Sequence, residues 1–172
     1  MKLHRIVLIS LAVLLVTSTL LLPAQSVSAR TRLVRRIQIP AIGVNLAITV
    51  APFRKTTWNF SRILYQAAYL AGRPQPGQSG NVVIAAHSEF ARRRPGPFYH
   101  LNQLKAGDQI IVLHDGARYV YAVTSTWSVD PTDMSPIIQT DQDVLTLITC
   151  DGYNDLTHGY DTRLIVRAAR VA

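Results

Sequence analysis

The sequence predicts an all-β domain that closes into either a barrel or a sandwich. Apolar segments of five to twelve residues recur from residue 37 onward, with little helical periodicity between them. Turn signals rich in Gly, Pro and Asp separate these segments. Because no internal repeat or linker divides residues 37–172, we expect them to form one domain.

The composition of the 172-residue chain excludes several classes of protein. Its 48% hydrophobic content is too high for a disordered chain. The single cysteine, Cys150, has no partner for an intramolecular disulfide, and no CxxC pair is present to hold zinc. Neither HExxH spacing nor the acid spacing of an EF-hand occurs, so we expect no metal site and no cofactor.

Residues 1–29 are interpreted as an export segment. The 17 residues from Ile6 to Leu22 carry no charge and end at a proline. Small residues at 27–29 allow signal-peptide cleavage after Ala29. An apolar helix of about 25 Å can instead remain as a membrane anchor if the bilayer thins or flanking residues adjust. The sequence favours the anchor, and in either case the rest of the chain is predicted to lie outside the cytoplasm.

The net charge of +8 is concentrated in two arginine clusters. Residues 30–36 hold four arginines and form a predicted basic juxtamembrane segment, and Arg92 to Arg94 form the second cluster. Anionic lipid and wall polymers are plausible partners for such charge. No aromatic residues interleave the clusters as a base-stacking platform requires, so we expect no nucleic-acid partner.

The N-terminal half of the domain is predicted to contain three strands. A strand over residues 37–40 ends at a proline, and residues 45–50 form the second. Residues 57–71 place apolar side chains closer to helical spacing than to alternation, which favours a helix. A loop rich in Pro and Gly follows, and the apolar run at 81–86 predicts a buried strand.

The middle of the domain is predicted to hold a β-hairpin. After a basic loop at 91–97, Phe98, Leu101 and Leu104 fit one short helical turn against the core. Asp115-Gly116 then separates two apolar strands at 109–114 and 118–129. This dipeptide is typical of a type I′ turn, which needs φ > 0 at both positions.

Two further strands complete the domain. A loop at 131–142 precedes a strand over 143–149, which is predicted to end at Cys150. A polar loop at 151–155 follows, and Arg163 is predicted to begin the last strand, over 163–169.

Cys150 and His87 are candidates for chemistry because each follows an apolar strand and opens a polar loop. A thiol there is held firmly yet open to a substrate, and a histidine beside it can serve as general acid and base. The alternatives are a buried structural thiol and an ordinary surface histidine. A lone thiol in an exported protein is an oxidation risk, which favours a chemical role.

Arg163 is the third candidate, because a guanidinium can stabilise an oxyanion or a thiolate. Its alternative is an ordinary surface arginine, and Arg167, on the same strand face, is the rival for the role. The remaining candidates lack this context and are expected to be structural: His100, His114 and His158.

Five ordered segments resemble the sortases, which are cysteine transpeptidases of the bacterial cell surface. TLITC at 146–150 followed by RLIVRA at 163–168 resembles the family signature. NVVIAAH at 81–87 is similar to the segment around the family's histidine, and residues 96–108 and 37–42 are similar to two further family segments. The resemblance covers about residues 36–170.

This resemblance implies a closed β-barrel in which Cys150 is the nucleophile, His87 the acid and base, and Arg163 the partner of the oxyanion or thiolate. It implies substrates that are surface proteins or pilins with a C-terminal LPxTG-like sorting signal, cut between Thr and Gly. The acyl product would pass to an amine of a peptidoglycan precursor or a pilin lysine. It also implies a bacterial enzyme held at the cell membrane by its N-terminal segment, or secreted if that segment is cleaved.

Two other functions are compatible with parts of the sequence. A papain-like cysteine hydrolase is disfavoured because its cysteine precedes its histidine in the chain, whereas His87 precedes Cys150 here. A non-enzymatic basic barrel that binds wall polymer or nucleic acid through its arginines is the other alternative. Fast alkylation of the folded protein at Cys150 would favour an enzyme.

Overall fold

The computed structural model describes residues 35–90 and 93–172, which belong to one compact unit. The strands in these residues are β1 (Arg36–Ile39), β2 (Val44–Ala51), β3 (Phe53–Arg54), β4 (Thr57–Trp58), β5 (Ala67–Leu70), β6 (Asn81–Ala85), β7 (Glu89–Phe90), β8 (Arg94–Pro95), β9 (Gln109–His114), β10 (Ala117–Val129), β11 (Val144–Asn154) and β12 (Gly159–Arg170). Short 3₁₀ turns lie at Pro40–Ile42, Leu101–Gln103 and Ser135–Ile137. The predicted all-β class is therefore confirmed.

Eight strands close into a barrel in the order β1-β2-β5-β6-β11-β12-β10-β9. Neighbouring strands are antiparallel except at β2–β5 and β6–β11, which are parallel. The hairpin of β3 and β4 lies in the connection from β2 to β5. The long connection from β6 to β11 contains β7 to β10, so residues distant in sequence become neighbours across the β6–β11 pair.

Apolar side chains fill the barrel and also cover part of its outer face. Along β11, Leu145 and Leu147 point into the interior cluster, and Ile148 packs on a second cluster outside it. This alternation follows from the pleat, which sends successive side chains to opposite faces. The outer cluster also includes Ile63 and Ile137 from the loops that cover this face.

The helix expected over residues 57–71 is absent, and this prediction is wrong. Thr57–Trp58 form β4, and Ala67–Leu70 form β5 of the barrel. All four residues of β5 are buried, because its two faces contact the interior and outer clusters respectively. A strand buried on both faces shows an unbroken apolar run instead of alternation, and this removed the sequence signal for a strand.

Other local predictions are confirmed. Asp115 and Gly116 both have positive φ, at 50° and 89°, as a type I′ turn requires. Phe98, Leu101 and Leu104 are buried around a single 3₁₀ turn. The loop at 91–97 differs in part, because Arg94–Pro95 pair with Glu89–Phe90 as a two-stranded hairpin.

The predicted N-terminal apolar helix, and all but the last two residues of the basic segment at 30–36, lie outside the described residues. Among the residues that are described, none forms a helix long and apolar enough to cross a membrane.

Candidate active site

The site is built where β6, β11 and β12 run side by side. Cys150 on β11 is the direct partner of Arg163 on β12, and Ile148 is the partner of Ala85 on β6. The chain beyond β6 stays beside β11, because the Ala86 N–H donates to the Ile148 carbonyl at 3.2 Å. Continuing this register places His87 level with Cys150.

The outer face of these three strands consists of parallel rows of side chains. One row is the pair Cys150–Arg163, which His87 joins when the β6 register is continued by two residues. The next row is Ala85–Ile148–Ile165, and the third is Val83–Thr146–Arg167. The residues that alternate with these along each strand point into the interior core, and they include Ala86, Leu147 and Leu164. The pleat therefore directs all three predicted site residues to the outer face of the barrel.

A groove of about 320 Å³ lies on this face and is bordered by Cys150, His87 and Arg163. The middle row forms part of its floor. Its other walls come from two loop regions and from β4, with Thr57, Trp58, Phe60, Pro131, Asp133, Met134, Pro136 and Ile137 among the lining residues. No motif in the sequence assigns these residues to the site. The local signal for them is the presence of apolar Met134, Ile137 and Ile138 within an otherwise polar loop.

Neither Cys150 nor Arg163 lies at a strand end, which corrects the prediction. β11 continues through Asn154, and β12 begins at Gly159, so the two strands extend past the site as a long hairpin. The residues beyond Cys150 are mostly half-buried or exposed, and the apolar pattern stops there although the strand pairing continues. Cys150 and Arg163 therefore lie on a continuous two-stranded ladder, which fixes their relative position.

The ring of His87 lies close to two phenylalanine rings. Its ring centroid is 6.3 Å from that of Phe60 and 5.5 Å from that of Phe90. The backbone after it is also held, because Phe98 N–H donates to the His87 carbonyl at 2.9 Å and Gly96 N–H donates to the Ser88 carbonyl at 2.7 Å. A side chain at Gly96 would place its Cβ only 2.6 Å from the His87 carbonyl oxygen, so glycine is required for this close approach.

Burial raises the pKa of the Cys150 thiol, and the positive charge of Arg163 acts in the opposite direction. The Arg163 guanidinium donates one hydrogen bond to the Thr162 carbonyl, at 3.1 Å from Nη1. A half-buried thiol with a raised pKa is mostly protonated near neutral pH, so it needs a proton acceptor to become a nucleophile. The row of three side chains supplies an imidazole and a guanidinium for this chemistry.

The other polar candidates do not line the groove. Arg167 donates from Nη2 to the Pro136 carbonyl at 2.9 Å and does not border the groove. His114 is buried and contacts the Tyr69 hydroxyl, at 3.3 Å from Nδ1. His100 contacts the Gln103 amide, and His158 lies in the turn between β11 and β12. Within residues 35–90 and 93–172, no cluster of His, Cys, Asp and Glu is arranged to hold a metal ion.

Comparison with known proteins identifies similar chains. The family model described as the Sortase domain matches residues 37–171. Sortase A of Listeria monocytogenes is 31% identical over 121 residues, which cover 70% of this chain and 50% of that protein. The match thus spans about half the length of this relative.

Two solved structures share the fold. Sortase C-1 from Actinomyces oris is 32% identical with a TM-score of 0.64, covering 80% of this chain and 73% of that chain. A pilus-related sortase C of Group B Streptococcus is 27% identical with a TM-score of 0.65, covering 83% of this chain and 69% of that chain.

Proposed function

The chain belongs to the sortase family, and on this premise we propose that it is a cysteine transpeptidase that cleaves an LPxTG-like sorting signal between Thr and Gly. The acyl product is transferred to an amine. Sortases are bacterial cell-surface enzymes that act as cysteine transpeptidases, which supports this activity. The papain-like alternative loses its support, because the family match assigns the chain elsewhere.

One observation carries the proposal, namely the row of His87, Cys150 and Arg163 at the edge of an open groove. A thiol, an imidazole and a guanidinium are the groups needed for attack on an amide, protonation of the leaving amine and stabilisation of the oxyanion. The groove extends from this row over an apolar floor, which suits an extended peptide with apolar side chains.

In the proposed mechanism, His87 accepts the thiol proton and the Cys150 sulfur attacks the threonine carbonyl. Arg163 stabilises the negative charge that develops on the carbonyl oxygen. The C–N bond to glycine then breaks as His87 returns its proton to the departing amine, which leaves a thioester on Cys150. An incoming amine attacks this thioester, and its proton passes back to the Cys150–His87 pair.

The proposed partners follow from the same chemistry. The donor is a surface protein or pilin with a C-terminal sorting signal, and the acceptor is a peptidoglycan-precursor amine or a pilin lysine. The similarity to a pilus-related sortase makes the pilin lysine an acceptor worth testing. The proposed location is the outer face of a bacterial membrane, with residues 1–29 as anchor or as a signal that is removed after Ala29.

A peptide panel tests this function. Peptides with LPxTG-type motifs are incubated with the protein and with either a glycine-based amine or a lysine-bearing peptide, and products are identified by mass spectrometry. We expect cleavage after threonine and a new amide to the supplied amine. Absence of both cleavage and transfer for every peptide would contradict the proposal.

A non-enzymatic basic barrel is the alternative that remains to be tested. Thiol alkylation separates the two, since an active-site Cys150 should react in the folded protein with a clear pH dependence. A thiol that reacts only after unfolding would favour the binding module.

A further inference from the structure

The wall of the groove formed by residues 131–142 is fastened to the barrel by polar side chains. This segment connects β10 to β11, and its Pro136 and Ile137 are buried at the groove. Ile137 packs in the outer cluster with Val83 and Leu70. The position of this wall therefore depends on what holds it against the outer face.

Asn81 holds two backbone carbonyls of the wall. Its Nδ2 donates to the Pro136 carbonyl at 2.9 Å and to the Ile138 carbonyl at 3.0 Å. Thr146 orients the side-chain amide of Asn81, because its Oγ1 donates a hydrogen bond to Asn81 Oδ1 at 2.6 Å. Both Asn81 and Thr146 have 0% exposure. The bonds from Thr146 to Asn81 and from Asn81 to Pro136 are buried, and the bond to Ile138 is partly buried.

Arg167 binds the same Pro136 carbonyl as Asn81 does. Its Nη2 donates to the Pro136 carbonyl at 2.9 Å, and its guanidinium lies 5.8 Å from the centre of the Trp127 ring. Its Nε is buried and has no hydrogen-bond partner among the described residues. Burial of such an unpaired donor is unfavourable, and the hydrogen bond from Nη2 to the wall has to offset this cost.

The anchor lies away from the reacting atoms. The row that contains Thr146 and Arg167 is separated by one other row from the row that contains Cys150 and Arg163. Four residues along a strand correspond to about 13 Å. The row between them, Ala85–Ile148–Ile165, is entirely apolar, so the polar anchor is separated from the polar residues of the site. Hydrogen bonds fix the direction and distance of a backbone segment, whereas apolar packing alone does not.

We propose that Arg167, Asn81 and Thr146 form an anchor that positions the groove wall at Pro136–Ile138 and thereby determines how tightly the enzyme binds its peptide. These are positioning residues, since they act through the wall and do not touch the reacting atoms. The inference rests on the proposed function for the identity of the peptide. The anchor itself can be tested without any substrate.

The experiment compares Arg167→Ala with Arg170→Ala in the full chain. Arg170 is a matched control because it lies on the same strand, is partly buried and pairs with Asp143 at 3.1 Å, away from the groove. Hydrogen–deuterium exchange of residues 131–142 is measured first. We expect faster exchange there in Arg167→Ala and wild-type exchange there in Arg170→Ala.

Kinetics with an LPxTG-type peptide then test the consequence for binding. Arg167→Ala should raise KM about tenfold and leave kcat within about twofold, the pattern of lost binding that is equal in ground and transition state. Arg167→Lys should restore most of the wild-type KM, since an ammonium can also donate to the Pro136 carbonyl. Thr146→Val keeps the side-chain shape but leaves Asn81 unoriented, and it should change KM in the same direction.

Each outcome supports or contradicts the proposed anchor. Unchanged exchange at 131–142 in both Arg167→Ala and Thr146→Val overturns the anchor. Faster exchange with unchanged KM overturns its role in peptide binding. A loss of kcat without a change in KM would place Arg167 in the chemistry instead. If Arg167→Ala does not fold, Thr146→Val carries the test, with faster exchange at 131–142 and a raised KM as the expected result. Failure of the proposed function appears separately, as absence of turnover in the wild-type protein.

Discussion

Cys150 and Arg163 are direct partners across the antiparallel pair of β11 and β12. This pairing brings a guanidinium beside a thiol on the outer face of the barrel, and the charge of Arg163 lowers the thiol pKa that burial raises. Since the ladder continues on both sides of the pair, neither residue can shift without breaking strand hydrogen bonds. The relative position of the thiol and the guanidinium is therefore fixed by the β-sheet.

Replacing the nucleophile should separate activity from folding. Cys150→Ala is expected to abolish peptide cleavage and transfer, because no other thiol is present in the sequence. The fold should be retained, since the thiol is only half-buried. Mass spectrometry of the products and circular dichroism of the variant check both points. Product formation near the wild-type rate would contradict the mechanism.

Replacing the imidazole should be almost as damaging. His87→Ala is expected to lower kcat by about 10²–10⁴, the usual contribution of a general acid and base. His100→Ala and His158→Ala are controls that should stay close to wild type, because neither side chain borders the groove. Comparable losses in His87→Ala and His158→Ala would show that the acid and base is misassigned.

The pH dependence of alkylation should report on Arg163. Removing its charge in Arg163→Ala leaves burial alone acting on Cys150, so the thiol pKa should rise. Less thiolate is then present near neutral pH, and the alkylation rate at fixed pH should fall. A rate–pH profile with a thiol reagent measures this directly.

The same variant distinguishes two roles for the arginine. As an oxyanion donor, Arg163 should contribute about 10²–10³ to kcat, and Arg163→Lys should recover only part of this, because an ammonium lacks the planar fork of a guanidinium. If kcat falls while the alkylation pKa stays constant, the oxyanion role alone is supported. Full activity in Arg163→Ala would exclude both roles.

Gly96 should be intolerant of a side chain. In Gly96→Ala, the new methyl would meet the His87 carbonyl oxygen at 2.6 Å, so the backbone after His87 has to move. We expect a loss of about 1–3 kcal/mol in the free energy of unfolding, typical of overpacking, together with reduced activity. Gly159→Ala is the control, because its nearest contact is an ordinary 3.6 Å. Denaturant unfolding and peptide turnover measure the two effects.

The N-terminal segment should be dispensable for folding. A chain that begins at Arg30 retains every buried core residue of the part that the structure describes, from Ile37 to Ala168. We expect it to unfold cooperatively on heating, as followed by circular dichroism. Aggregation under every solution condition would indicate that residues 1–29 are needed to cover the domain.

Local sequence patterns were sufficient for much of the fold. Turn chemistry at Asp115-Gly116 and the apolar segments on either side of it predicted the central hairpin, because both signals depend on residues next to each other in the chain. The same kind of signal failed for β5, which is buried on both faces and resembles a helix segment. It also failed at Cys150, where the apolar pattern ends but the strand does not.

The identities of the candidate residues could also be inferred from the sequence. Residue type, position relative to apolar segments and resemblance to a family together indicate Cys150, His87 and Arg163. The tertiary structure alone determined that the three form one row, because this depends on the parallel register of β6 with β11 and the antiparallel register of β11 with β12. It also determined the groove walls and the contact of Arg167 with Pro136. These are contacts between segments far apart in the chain, and local periodicity and turn propensity carry no information about which distant strands pair or in which register.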